Sequence, residues 1–158
     1  GSRGSSGARR RWGIWASEGG VVASMLAGLY PDVIKKIVLI APAAQLKDDA
    51  LAGKTQSATY DPNHIPNTVP FHDKKLGGFY LRTAQVLPIY EISKRFTNPV
   101  SIIVGSNDEI VNPKYSKKYH QVYQNSELNL IDGADHSFTH EYQAKAARLA
   151  ADFVKPLF

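Results

Sequence analysis

The 158-residue chain contains no cysteine, which removes disulfides, thiolate nucleophiles and Cys-based zinc or iron–sulfur sites from consideration. Covalent catalysis must then use another residue. No run of about 18 apolar residues occurs, and no basic start leads into an apolar stretch with a small-residue cleavage site. A soluble, cytoplasmic protein with no membrane partner is the expectation. Charge of one sign is scarce outside the first residues, since Arg3, Arg9, Arg10 and Arg11 account for four of the five net positive charges. The rest lacks the broad basic face that phosphate-backbone binding needs, so nucleic acid is not an expected partner. His64, His72 and His120 have no metal-ligand spacing, and neither a metal nor a cofactor is implied.

What is present divides unevenly along the chain. Residues 1–11 are Gly-, Ser- and Arg-rich with hardly an apolar side chain, and cannot bury enough surface to offset their ordering. We read residues 1–16 as a linker, a tag or an aberrant start, and residues 17–158 as one α/β unit. Val21, Val22, Met25, Leu26 and Leu29 recur at helical spacing before Pro31, which predicts a buried helix. Short apolar runs at 37–40, 100–104 and 128–131 predict strands covered on both faces. A crossover helix is expected over 116–123, and a last helix over 139–154 with Ala146, Leu149, Ala150 and Phe153 on one stripe. The alternation implies a parallel, doubly wound sheet. Residues 43–96, with Pro62, Pro66, Pro70, Pro88 and the pair Gly77-Gly78, exceed any ordinary connection and predict an inserted cap.

In such a sheet ligands bind outside the carboxyl ends of the strands. Ser17 precedes the first helix, Asp108 follows the second apolar run in Gly-Ser-Asn-Asp, and His136 follows the third in Gly-Ala-Asp-His. A hydroxyl nucleophile needs a neutral imidazole to take its proton, and the imidazole needs a carboxylate to orient it. The order Ser, acid, His is that of α/β-hydrolases. Each residue has a plainer alternative: Ser17 as a helix N-cap, Asp108 as a turn residue with Glu109 as the competing carboxylate, and His136 as a turn histidine with His140 as the competing base. The glycines at 19 and 20 favour a nucleophile elbow over a cap. The backbone N–H of Glu18, the residue after the nucleophile, is the expected oxyanion donor.

The segments Ser17-Glu-Gly-Gly-Val-Val-Ala-Ser-Met-Leu-Ala-Gly-Leu-Tyr-Pro, Ala-Pro-Ala-Ala, Gly-Gly-Phe-Tyr-Leu-Arg, Gly-Ser-Asn-Asp108 and Gly-Ala-Asp-His136 together resemble the bacterial cinnamoyl or feruloyl esterases of the α/β-hydrolase superfamily, over about residues 17–155. The resemblance implies Ser17 as nucleophile, His136 as base, Asp108 as its orienter, and a small aromatic ester of a hydroxycinnamic acid as substrate. A phenolic ring needs apolar walls with an acceptor and a donor at its far end. Asp49, Tyr80 and Gln56 in the insertion offer these groups, with Phe79, Leu46 and Leu87 for packing, and the resemblance places an acid and a Tyr at Asp49 and Tyr80. A solvated Asp49 and a core Tyr80 are the plainer readings. Peptidases and lipases share the fold, and a noncatalytic binding fragment is a further alternative.

Two features depart from that pattern. Trp15 stands where the elbow calls for a small residue, and the stretch before Ser17 is basic and bulky where an apolar strand is expected. Family members also carry further strands and a second oxyanion donor ahead of the elbow. The chain is therefore expected to be a C-terminal part, inactive alone, exposing apolar surface and prone to homo-oligomerise.

Overall fold

The computed structural model describes residues 12–155. β-branched and aliphatic residues dominate its inner strands because such side chains pack well on a pleated, two-sided surface. Strands β1 (Trp12–Ala16), β2 (Lys36–Ile40), β5 (Val100–Gly105) and β6 (Ser126–Ile131) form a parallel sheet in the order β1-β2-β5-β6. Between them run helices α1 (Ser17–Leu29), α4 (Ile89–Ser93) and α5 (Lys114–Val122), and α6 (Tyr142–Val154) follows β6. Among the described residues no helix is long and apolar enough to cross a membrane.

The chain divides into two compact units, one of which is Ala44–Pro88. That unit holds helix α2 (Gln45–Ala52), the antiparallel hairpin β3 (Thr68–Phe71) and β4 (Lys74–Gly77), and helix α3 (Gly78–Val86). It lies inside the stretch expected as a cap, but is shorter at both ends. Ile89 and Phe96 are buried in the other unit, and α4 belongs there.

In the sheet unit, α6 covers one face. Its Ala146 and Ala150 are buried against Val38, Ile103, Ile131, Ala134 and Phe138, with Leu149 and Phe153 packed at the margin, on the stripe that the sequence spacing predicts. The other face carries α1 and α5, tied together where the Tyr119 hydroxyl and Ser24 Oγ share a hydrogen bond of 3.0 Å. Ser93 on α4 donates to the same Ser24 oxygen at 3.0 Å. Burial raises the Tyr119 pKa from 10.0 to about 12, an effect that its hydrogen bonds to the two serines only partly oppose.

Several sequence expectations are revised. The boundary expected between residues 16 and 17 falls within an ordered strand–turn–helix unit, because Trp12–Ala16 pairs with β2 over its whole length. Residues 1–11 lie outside the described residues. Trp15 is accommodated because its ring lies across Gly13, where any Cβ would overlap it. The first helix buries only part of its predicted stripe: Val21 is buried and Met25 half-buried, but Val22, Leu26 and Leu29 are exposed, and Ala23, Ser24, Ala27 and Gly28 face inward in their place. Small residues win the inner face because they let the helix backbone approach its neighbours closely. Strand β6 is not covered on both faces, since it is an edge strand with an exposed Leu130.

Candidate active site

Ser17 is the turn between β1 and α1 and has a φ of +51°. A non-glycine residue there costs about 1–3 kcal/mol and persists only where the surroundings impose it. They do so here: β1 is clamped to β2, and the Ser17 carbonyl accepts the Ala43 N–H at 3.0 Å. This strained strand-to-helix turn is the geometry that presents a nucleophilic hydroxyl above a sheet. The helix is not capped by a side chain and its N-cap position is Ala16, so the N-cap alternative for Ser17 is set aside. Glu18 lies in the first helical turn, whose N–H groups have no acceptor within the helix and lie at the positive end of its dipole. Of the glycines at 19 and 20, only Gly20 makes a close approach. A Cβ at Gly19 would meet nothing within 4 Å, whereas at Gly20 it would stand 3.2 Å from Pro42 Cβ.

Asp108 and His136 come from the loops after β5 and β6. Asp108 is buried, and its Oδ1 accepts the N–H groups of Ile110 at 3.0 Å and Val111 at 2.8 Å. Its Oδ2 lies 2.7 Å from His136 Nδ1. Asp108 is thus both the turn residue and the partner of the histidine. One oxygen is held by backbone so that the other meets the ring at a fixed angle. The His136 side chain keeps 20% of its surface exposed, while that of Asp108 has none. With Nδ1 committed to the carboxylate, Nε2 is left to exchange a proton.

A second set of contacts sets the distance between the two loops. Gly105 passes so close to the next loop that any Cβ would overlap the Ala134 carbonyl. Asn107 N–H donates to that carbonyl at 2.9 Å, and Gly133 N–H donates to Ser106 Oγ at 2.7 Å. Gly105 and Ser106 therefore hold the Asp108 loop against the His136 loop, a role that sequence reading missed. The only signal was their place between a buried strand and the acid. Beyond His136, Asp135 closes the turn by accepting Thr139 N–H at 2.9 Å and Thr139 Oγ1 at 3.0 Å. The backbone bond from Thr139 is the main reason why its carboxyl titrates below the usual value.

The competitors are placed elsewhere. Glu109 and His140 are exposed and line an open depression of about 380 Å³ beside Asn107 and Asp135. His140 precedes the last helix, which begins at Tyr142 and not at 139. Among the described residues no group of three or more His, Asp or Glu is arranged to hold a metal.

In the second unit, Asp49 on α2 accepts from Gln45 Nε2 at 3.3 Å and lies 3.8 Å from Lys54 Nζ, with its side chain 23% exposed. Gln56 Oε1 is 2.8 Å from His72 Nε2, and Tyr80 on α3 is exposed. Tyr60 titrates above its usual value, through burial first and the Asp49 charge second.

A parallel sheet with helices on both faces, a strained serine after one strand and an Asp–His pair after two others define the α/β-hydrolase fold, here with its inserted unit. Solved structures agree. The chain is similar to Est1E from Butyrivibrio proteoclasticus at 27% identity and a TM-score of 0.81, over 90% of this chain and 59% of that one. It is similar at 28% identity, again with a TM-score of 0.81, to the structure of Est1E with ferulic acid bound, over 89% of this chain and 57% of that one. A monoacylglycerol lipase from Paleococcus ferrophilus matches at 17% identity and a TM-score of 0.66, over 90% of this chain and 67% of that one, and shows the fold alone. The chain thus spans less than two thirds of the length of Est1E. No family model and no curated protein matches.

Proposed function

We propose that this chain carries the nucleophile, base and acid of a serine carboxylic ester hydrolase acting on hydroxycinnamate esters. Ser17 Oγ attacks the ester carbonyl as its proton passes to His136 Nε2, while Asp108 steadies the imidazolium through Nδ1. The Glu18 N–H donates to the oxyanion. Collapse of the tetrahedral intermediate breaks the bond to the alcohol oxygen, which leaves with the proton from His136. Water activated by the same imidazole then releases the acid and restores the Ser17 hydroxyl. The observation that carries this reading is the 2.7 Å Asp108–His136 bond, in a chain whose serine holds a positive φ at a strand–helix turn. The acyl group is suggested by the similarity to a protein solved with ferulic acid bound. Asp49, Tyr80 and Gln56 are proposed to read its phenolic end.

A fluorophosphonate probe tests the chemistry on the chain itself, because labelling is stoichiometric and is detectable even when turnover is slow. Mass spectrometry should place the label on Ser17 and find none in Ser17→Ala. Folded wild-type protein that takes no label would refute the enzyme and favour a noncatalytic fragment. For the substrate, ferulate esters should be preferred over the unsubstituted cinnamate ester, and Asp49→Ala and Tyr80→Phe should each erode that preference. An unchanged preference in both variants would remove these residues from the site.

A further inference from the structure

His136 stands at the corner of a tight turn that Phe138 closes, its N–H donating to the Asp135 carbonyl at 3.3 Å. Phe138 holds a φ of +52° there. For a bulky residue this backbone conformation is an outlier, and the last position of such turns is one that glycine favours. Something must hold a phenylalanine in it. The side chain is buried in one cluster with Val38, Ile103 and Ile131 of three strands and Ala146 and Ala150 of α6. Burial of a ring that large offsets the backbone strain.

Ala134, two residues before His136, is fully buried in the same cluster, so the turn is sunk into the core at both ends. The histidine lies between the two anchors. Its side chain keeps 20% of its surface exposed, and its Nδ1 is 2.7 Å from Asp108 Oδ2. Upstream, the Ala134 carbonyl is also tied to the Asp108 loop by the Asn107 N–H. Downstream, the bonds that Asp135 makes to Phe138 and Thr139 stay within the turn itself. The Phe138 ring is what joins that end to the rest of the fold. We propose that Phe138 is a positioning residue for His136: its ring anchors the far end of the turn and so fixes the imidazole against Asp108. This role presupposes His136 as the base that serves Ser17.

Three substitutions, each checked for folding by circular dichroism, separate anchoring of the turn from general loosening of the core. Phe138→Gly relieves the strain and removes the ring, so the turn is kept and its anchor lost. It should slow fluorophosphonate labelling of Ser17 by about a hundredfold, the effect of misplacing a reacting group by about 1 Å. Phe138→Leu keeps an apolar anchor and should fall between that variant and wild type, and it carries the test if Phe138→Gly does not fold. Ala146→Gly loosens the same cluster from α6, away from the turn, and should label as wild type does. Proton NMR gives a second readout, because an Nδ1–H held by a buried carboxylate resonates far downfield, and Asp108→Asn identifies the signal by its loss. That signal should persist in Ala146→Gly and be lost or broadened in Phe138→Gly. Folded Phe138 variants with the wild-type rate and signal would overturn the proposal, as would equal slowing by Ala146→Gly. Wild type that takes no label would instead refute the enzyme, and the Nδ1–H signal would then decide on Phe138 alone.

Discussion

The loops after β5 and β6 and the strand β1 each lead into a residue of the proposed chemistry, yet they are held in different ways. The first region is stitched inward: Asp108, His136, Ser106, Gly133 and Ala134 are joined by hydrogen bonds across two loops. The second is held, among the described residues, by its ladder to β2 and by the bond from Ala43 N–H to the Ser17 carbonyl. A cluster whose polar groups satisfy one another keeps its geometry without help. A turn kept by one ladder and one backbone bond has fewer contacts to hold its shape. The acid–base pair should therefore be the robust half of the site and the Ser17 turn the half sensitive to context.

The largest effect should come from breaking the stitched side chemically. Asp108→Asn or His136→Ala should slow fluorophosphonate labelling of Ser17 by about 10³-fold or more, and Glu109→Gln should leave it within about twofold, since an exposed residue away from the pair has little to lose. A slow Glu109→Gln beside a fast Asp108→Asn would reassign the acid. Labelling should also fall on acidification, because the base must be neutral to accept the proton.

Next come the glycines that separate the two regions. Gly105→Ala forces a methyl group into the Ala134 carbonyl and should lower stability by about 2 kcal/mol. Gly19→Ala meets open space at the start of α1 and should raise it by about 0.5 kcal/mol. Urea unfolding of both variants checks the pair. If the two shifts were equal, the close approach of the loops would not be what holds the acid–base side.

Beneath both regions lies the hydroxyl cluster of Ser24, Ser93 and Tyr119. Because the Tyr119 pKa is raised from 10.0 to about 12, its stabilisation is complete below pH 10 and is lost as pH rises toward 12, where the unfolded chain ionises first. Tyr119→Phe should cost about 1 kcal/mol at neutral pH and flatten the alkaline decline seen by thermal unfolding. An unchanged slope would mean that the phenol is not buried.

The smallest effect is confined to the turn after His136. The Asp135 carboxyl is depressed from 3.8, so its cap on Thr139 is intact above that value and is released as pH falls through the lowered one. Hydrogen exchange at the Thr139 amide should quicken only in strong acid. In Asp135→Asn it should change little with pH over the same interval.

How legible this was from residues alone varied with the element. The runs at 37–40 and 100–104 read as covered strands because burial on both faces demands continuous apolar sequence, and both are buried in β2 and β5. The α6 stripe was equally plain. The outward face of α1 was not, because periodicity reports which residues are apolar and not which side finds a partner. Trp15 was misleading for a related reason: a bulky residue beside an elbow reads as a clash until the ring is seen lying across Gly13. The positive φ of Ser17 is the strained backbone that a nucleophile elbow implies, and it is imposed by the ladder on one side and the Ala43 contact on the other.

The sequence by itself determined the strands at 37–40, 100–104 and 128–131 with the helices that follow them, the Ser, Asp, His succession and the exclusion of cysteine chemistry. These follow from local composition and spacing, which a linear reading contains. Only the tertiary structure decided that Asp108, not Glu109, meets His136, that Trp12–Ala16 is part of the sheet and that α1 turns its leucines outward. Each of those depends on which groups meet across the folded chain, where small residues permit the close approach and buried polar groups must find partners.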